Sequence, residues 1–487
     1  MEKRWILVYD NYTALSKKAV NTLSATVSGY LRYVLPVKHV TALTKEDFDS
    51  NIITVGQSKT NPIIAKCEEP DLIDKAQNEQ GYAIFVGKNP YCEDALTIAI
   101  SGADEYGVLY GAIDFCNKYC GSVVYRRGYL YGDNYFSEPF NVADMPFWRY
   151  SCAPAIKTRA VWTWGHVIYD YKNYFDNMLR LKMNEVVIWN DYVPLNAQDV
   201  VAYAHSLGIK VIWGFAWGWS TTCESFAEGL NDELLASIKK NVYETYETQY
   251  ANAGGDGIYF QSFTELNKDD VGGKSIAEMV TDLVNDVAGG LLEKYPTLHI
   301  QFGLHATSVK TRLDVMKNVD ERIHIIWEDC GSFPYAYNVH DVKAFDETLD
   351  FTEKLLSLRG EDEAFGTVLK GMLNLDWLTF EHFSAPYVLG ERTSHFLDDY
   401  KKLKDKAWKI IQSAWLKNSD YARRMIEKIA TKGNNPIVEV LVENGMLEGG
   451  IPFPVALFAE FLWTPNKNTD EITEEVAKYP FVEFKNY

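Results

Sequence analysis

From Pro154 onward the chain repeats one unit: a run of five to seven apolar residues, a short polar or aromatic segment, then a long amphipathic stretch. The apolar runs are Thr158–Trp162, Glu185–Trp189, Lys210–Phe215, Gly257–Gln261, His299–Gly303, Arg322–Trp327 and Gly366–Met372. Between them Tyr171–Lys182, Gln198–Ser206, Asp232–Tyr250 and Lys274–Lys294 carry apolar residues at helical spacing. Strands separated by helices are parallel, and strands apolar on both faces are covered on both faces. The expected fold is therefore α/β, a closed (β/α)8 TIM-type barrel with its eighth strand near Ala385–Leu389. An open doubly wound sheet is the alternative. No Gly-rich phosphate loop follows the first strand, which argues against it.

Residues 1–145 keep a different rhythm. Short strands at Trp5–Tyr9, Asn51–Val55, Tyr82–Val86 and Ala95–Ile100 alternate with helices at Thr13–Leu35 and Glu105–Tyr119, a small α/β domain of its own. The barrel is assigned to 146–392. Residues 393–487, where Lys, Asp, Leu, Ala and Ile recur at helical spacing, form a C-terminal helical region packed on it.

In such a barrel the chemistry gathers at the C-terminal ends of the strands. Strand one ends on Trp162-Thr-Trp164-Gly-His166 and strand two on Trp189-Asn190-Asp191. Strand three ends on Trp213-Gly-Phe215-Ala-Trp217-Gly-Trp219 and strand four on Thr264-Glu265. Strand five carries His305, strand six ends on Trp327-Glu328-Asp329, and strand seven holds Lys370 and leads to Asp376-Trp377. Eight of the thirteen tryptophans fall here, where barrel cores favour branched aliphatics. An indole offers a flat apolar face with an N–H at its edge, which suits a pyranose. Packing of a wide barrel mouth is the competing explanation.

Carboxylates end strands two, four, six and seven. Cleaving a glycosidic bond takes one carboxylic acid to protonate the leaving oxygen and a second carboxylate as nucleophile or base. Glu265 lies between Phe263 and Leu266, and apolar surroundings favour the protonated form that an acid needs. Glu328 or Asp329 is the expected second carboxylate. Asp191 and Asp376 could equally cap the helices that follow them. The nine histidines are isolated, so no metal is expected, and no cofactor motif appears. Lys370 could serve a Schiff-base lyase or aldolase. A non-catalytic carbohydrate-binding barrel is the other alternative.

A net charge of −19 argues against nucleic acid and anionic membranes as partners. The expected partner is a small carbohydrate substrate, together with a second copy of the chain in a homodimer. Seven scattered cysteines fit neither a disulfide framework nor a zinc site. With no signal-peptide core at the N-terminus, the expected location is the cytoplasm.

Several stretches resemble known families. Ala95-Leu-Thr-Ile-Ala-Ile-Ser-Gly-Ala-Asp104 and Tyr106-Gly-Val-Leu-Tyr-Gly-Ala112 resemble the small domain preceding the barrel in β-N-acetylhexosaminidases (family 20) and α-glucuronidases (family 67). Tyr174–Asn190 and Ala204–Ile212 look like helix-to-strand passages of the same barrels, so the resemblance covers roughly residues 50–330. It implies an exo-acting glycoside hydrolase with its general acid, here Glu265, at the end of strand four. It also implies that Arg159 holds hydroxyls of the terminal sugar. The strand ends themselves add Asn190 and Asp191 as expected contacts of that sugar, with the tryptophans lining the pocket. The hexosaminidases carry an Asp-Glu pair at strand four, and this chain has Thr264-Glu265.

Overall fold

The computed structural model describes all residues except 1–2, 32, 69–76, 121–147, 165–167, 191, 218–230, 267, 306, 330–331, 338, 340–341, 362, 374–384, 391–392, 434, 443–446, 480 and 486–487. The chain divides into two compact units, the first of Met1–Lys157 with 206–208 and 474–482, the second of the remainder.

The first unit is built on a six-stranded mixed sheet. Trp5–Tyr9 pairs in parallel with Val37–His39 and Asn51–Gly56, and the latter pairs in parallel with Cys92–Gly102. Tyr82–Asn89 turns through Pro90-Tyr91 into Cys92–Gly102 as an antiparallel hairpin, and Trp148–Cys152 adds the far edge. Helix Glu105–Phe115 starts where the Asp104 carboxylate accepts the Gly107 N–H, an N-cap that satisfies a donor the helix itself cannot pair.

The second unit is a closed barrel of eight parallel strands surrounded by helices. In chain order the strands are Thr158–Trp164, Glu185–Trp189, Lys210–Gly214, Gly257–Gln261, His299–Leu304, Ile323–Trp327, Phe365–Met372 and Ile437–Val442. The eighth is not at Ala385–Leu389, where residues 385–390 form turns and irregular chain. Ile437–Val442 pairs with strand seven on one side and strand one on the other and so closes the ring. It lies inside the range expected to be purely helical. Helices Ser394–Leu403 and Asp405–Ala430 precede it, and Phe453–Trp463 follows.

Alternation along the strands sorts the side chains. Trp162, Val187, Trp189, Ile212, Tyr259, Ile326, Val368 and Leu441, drawn from every strand but one, form a single buried cluster. Two glycines make room for it. A Cβ at Gly214 would meet the Trp189 side chain at 2.7 Å, and one at Gly303 would collide with the Glu328 carboxylate and the Tyr259 hydroxyl. The interior also holds polar groups: Gln301 donates to Glu185 at 2.7 Å, and Glu439 is wholly buried. No helix among the described residues is long and apolar enough to cross a membrane.

Candidate active site

Residues at alternate positions of strand four point to one face, so Tyr259 and Gln261 both reach inward, and both donate to Glu328 Oε1, the tyrosine hydroxyl at 2.8 Å. Strand seven brings Lys370 Nζ to 3.2 Å from Glu328 Oε2, and neither side chain is exposed. Burial alone would push the Glu328 carboxyl up. The Lys370 charge and the Gln261 and Tyr259 donors outweigh it and hold Glu328 below the usual carboxylate range, ionised at neutral pH.

Glu265 follows strand four with its side chain 30 % exposed. Burial first, then repulsion from Glu328 and Asp329, push its carboxyl up to about 7, against a partial offset from Lys370. His305 stands between the two glutamates. Its Nδ1 is 3.1 Å from Glu265 Oε1 and its Nε2 is 3.6 Å from Glu328 Oε2. Burial pushes the imidazole down to about 4, so at neutral pH the ring is uncharged. Gln261 Nε2 lies 3.2 Å from His305 Nε2, which makes that ring nitrogen the acceptor and places the N–H on Nδ1, facing Glu265.

Thr264, next to Glu265 in the chain, is wholly buried. Its Oγ1 accepts the His305 backbone N–H at 3.1 Å and its carbonyl accepts the Ser308 N–H at 2.9 Å. It ties the end of strand four to that of strand five. Asp329 is half-buried beside this group.

The aromatic residues divide by strand phase. Trp162 and Trp189 point inward and pack edge-on at 5.8 Å, both buried. Trp164 stacks on Trp162 at 6.1 Å and faces Tyr337 at 6.0 Å, and Trp164 and Tyr337 are only partly buried. Tyr337, which lies in a loop with no periodicity to betray it, also sets its hydroxyl 3.1 Å from Lys370 Nζ. Tyr259 and Gln261 had a signal in the sequence, the two-residue alternation of strand four.

Three expected sugar contacts lie elsewhere. Arg159 sits at the start of strand one, wholly buried, where its Nε donates to the Lys182 carbonyl at 2.8 Å and its guanidinium lies 5.0 Å from the Trp463 ring. Trp217 stacks on Phe260, which stacks on Phe302. Trp327 packs against Tyr335 and Phe351 of the surrounding layer. Each is fully buried, in packing that supports the barrel from outside. Asn190 is buried at the end of strand two, its side-chain amide donating to the Tyr387 hydroxyl at 3.1 Å and its backbone carbonyl accepting from the Tyr250 hydroxyl. Asp191, Asp376 and Trp377 lie outside the described residues.

Among the described residues no group of three or more His, Cys, Asp or Glu is placed to hold a metal ion. A groove of about 670 Å³ along helix Asp405–Ala430 carries no aromatic ring, and its Arg423 is paired with Asp420 and Glu427. It does not belong to the carboxylate site.

No family model and no curated sequence matches this chain. Solved structures do resemble it. A GH138 enzyme targeting pectin rhamnogalacturonan II superposes with a TM-score of 0.51 at 12% identity, over 96% of this chain and 52% of that one. The present chain thus spans about half the length of that enzyme. The GH20 β-N-acetylhexosaminidase from Streptomyces coelicolor A3(2) is similar at TM-score 0.47 and 12% identity, over 98% of this chain and 91% of that one. The family 89 glycoside hydrolase from Clostridium perfringens gives 0.47 and 10%, over 96% and 51%. The fold is that of TIM-barrel glycoside hydrolases.

Proposed function

We propose that the protein is an exo-acting glycoside hydrolase in which Glu265 is the general acid. The observation that carries this is a partly exposed carboxyl, held protonated to about pH 7 by burial and by two neighbouring carboxylates, at the C-terminal end of a barrel strand. With Nδ1–H of His305 facing Glu265 Oε1 at 3.1 Å, Oε2 is the oxygen that carries the acid proton to a leaving oxygen.

Asp329 is the second carboxylate. Of the two candidates on strand six, Glu328 has no exposed surface and Asp329 has some. Trp164 and Tyr337 supply the rings against which a pyranose face can lie. Beneath them Trp162, Trp189 and Tyr259 fill the barrel and form the floor of the site. Lys370 is spent on Glu328, so the cation that an anionic sugar would need is engaged, and a neutral terminal sugar fits better than a glucuronide. The same ion pair disfavours Lys370 as a Schiff-base nucleophile, which must be a free amine.

A panel of neutral and anionic aryl glycosides, assayed with wild type and Asp329→Asn, tests the reading. Hydrolysis of a neutral member, lost in Asp329→Asn, is expected. Sugar binding without cleavage of any member would make the protein a binding module.

A further inference from the structure

Glu328 is an unusual carboxylate for a hydrolase site. Around it stand Tyr259 and Gln261 of strand four, His305 after strand five and Lys370 of strand seven, and its charge helps to keep the buried Glu439 of strand eight protonated. Oε1 accepts from Tyr259 and Gln261, Oε2 is ion-paired with Lys370, and the side chain has no exposed surface that a sugar could reach. The glycine at 303 is shaped to this arrangement, since any side chain there would displace the carboxylate. The ring that touches Glu328 on one side touches Glu265 on the other.

We propose that Glu328 is a positioning residue that acts on Glu265 through His305 and through its own fixed negative charge, and never touches substrate. This rests on the reading of Glu265 as the acid. Lys370 fixes the buried anion in place. Gln261, bridging Glu328 and His305 Nε2, sets the ring tautomer, and the Nδ1–H then orients Glu265 while the anion behind it disfavours a second negative charge. Around Glu265 itself the charged or titratable groups among the described residues are His305, Glu328, Asp329 and Lys370.

The test is carbon-detected NMR on protein labelled at the glutamate carboxyls, with the Glu265 signal identified by its loss in Glu265→Gln. In Glu328→Gln, an isostere, the Glu265 midpoint should move down by on the order of one pH unit, with the acid-side activity profile moving alike. An unmoved midpoint overturns the proposal. So does Glu328→Ala losing turnover as fully as Glu265→Gln and regaining it with azide, the mark of a carboxylate that reacts with the sugar. Should Glu328→Gln not fold, His305→Gln decides: a fall in kcat at unchanged KM supports the positioning role, and a raised KM at unchanged kcat contradicts it. A moved midpoint in a protein that cleaves no glycoside would sink the hydrolase reading while leaving this coupling intact.

Discussion

Lys370 Nζ lies 3.2 Å from Glu328 Oε2, and neither side chain reaches solvent. Removing one member strands the other charge in a low-dielectric interior. Lys370→Met should therefore cost roughly 3–5 kcal/mol, whereas Lys370→Met with Glu328→Met should recover most of that loss. Urea unfolding of the two single variants and the double variant measures the coupling. Additive losses would mean that the pair is not an interacting unit.

Stability should fall as pH rises from about 4.5 to 7. Glu185, Glu265 and Glu448 are each pushed up to about 7, chiefly by burial, and Glu439 is held well above the usual carboxylate range by burial and its glutamate neighbours. In that window the folded state binds more protons than the unfolded one, so each group contributes a loss of up to about 1.4 kcal/mol per pH unit. His305 and His324, both pushed down to about 4, and His299, also lowered by burial, act oppositely below about 6.5, but they are three against four. Both Glu439 oxygens lack a hydrogen-bond partner, so Glu439→Met should raise the melting temperature at pH 8 more than at pH 5. A melting temperature that climbs from pH 5 to 7 in the wild type would contradict the assignment.

Trp164 and Trp162 should behave differently on truncation. Trp164 is partly exposed beside Tyr337, so Trp164→Ala should weaken binding of the product sugar on the order of tenfold, about 1.4 kcal/mol, with little loss of stability. Trp162 is fully buried, and Trp162→Ala should cost roughly 3–5 kcal/mol in folding. Calorimetric titration and thermal melts on both variants separate the two roles.

Arg159→Met should lower stability by roughly 1–3 kcal/mol, because the buried Lys182 carbonyl loses a donor. It should leave KM unchanged, and a several-fold rise in KM would restore Arg159 to the sugar site.

Seven strands were legible because each is a short apolar run between turn residues and a helical stretch. The eighth was not, because Ile437–Val442 comes only after the 26-residue helix Asp405–Ala430, and a region so dense in helical spacing masks one short strand. Glu265, Glu328, His305 and Lys370 could be found since each sits at or just past a strand end. The tryptophans were harder. Position near a strand end does not give phase, and Trp327, one residue before the inward Glu328, must point outward. Arg159 entered by resemblance, and its place at the start of its strand set it at the opposite end from the carboxylates.

The most direct test of the central claim is turnover of paired glycosides, one with a poor and one with an activated leaving group, by wild type and Glu265→Gln. An acid catalyst predicts a fall of about 10²–10⁴ on the poor leaving group and much less on the activated one, which needs no proton. Equal turnover of the poor substrate by wild type and Glu265→Gln would contradict it.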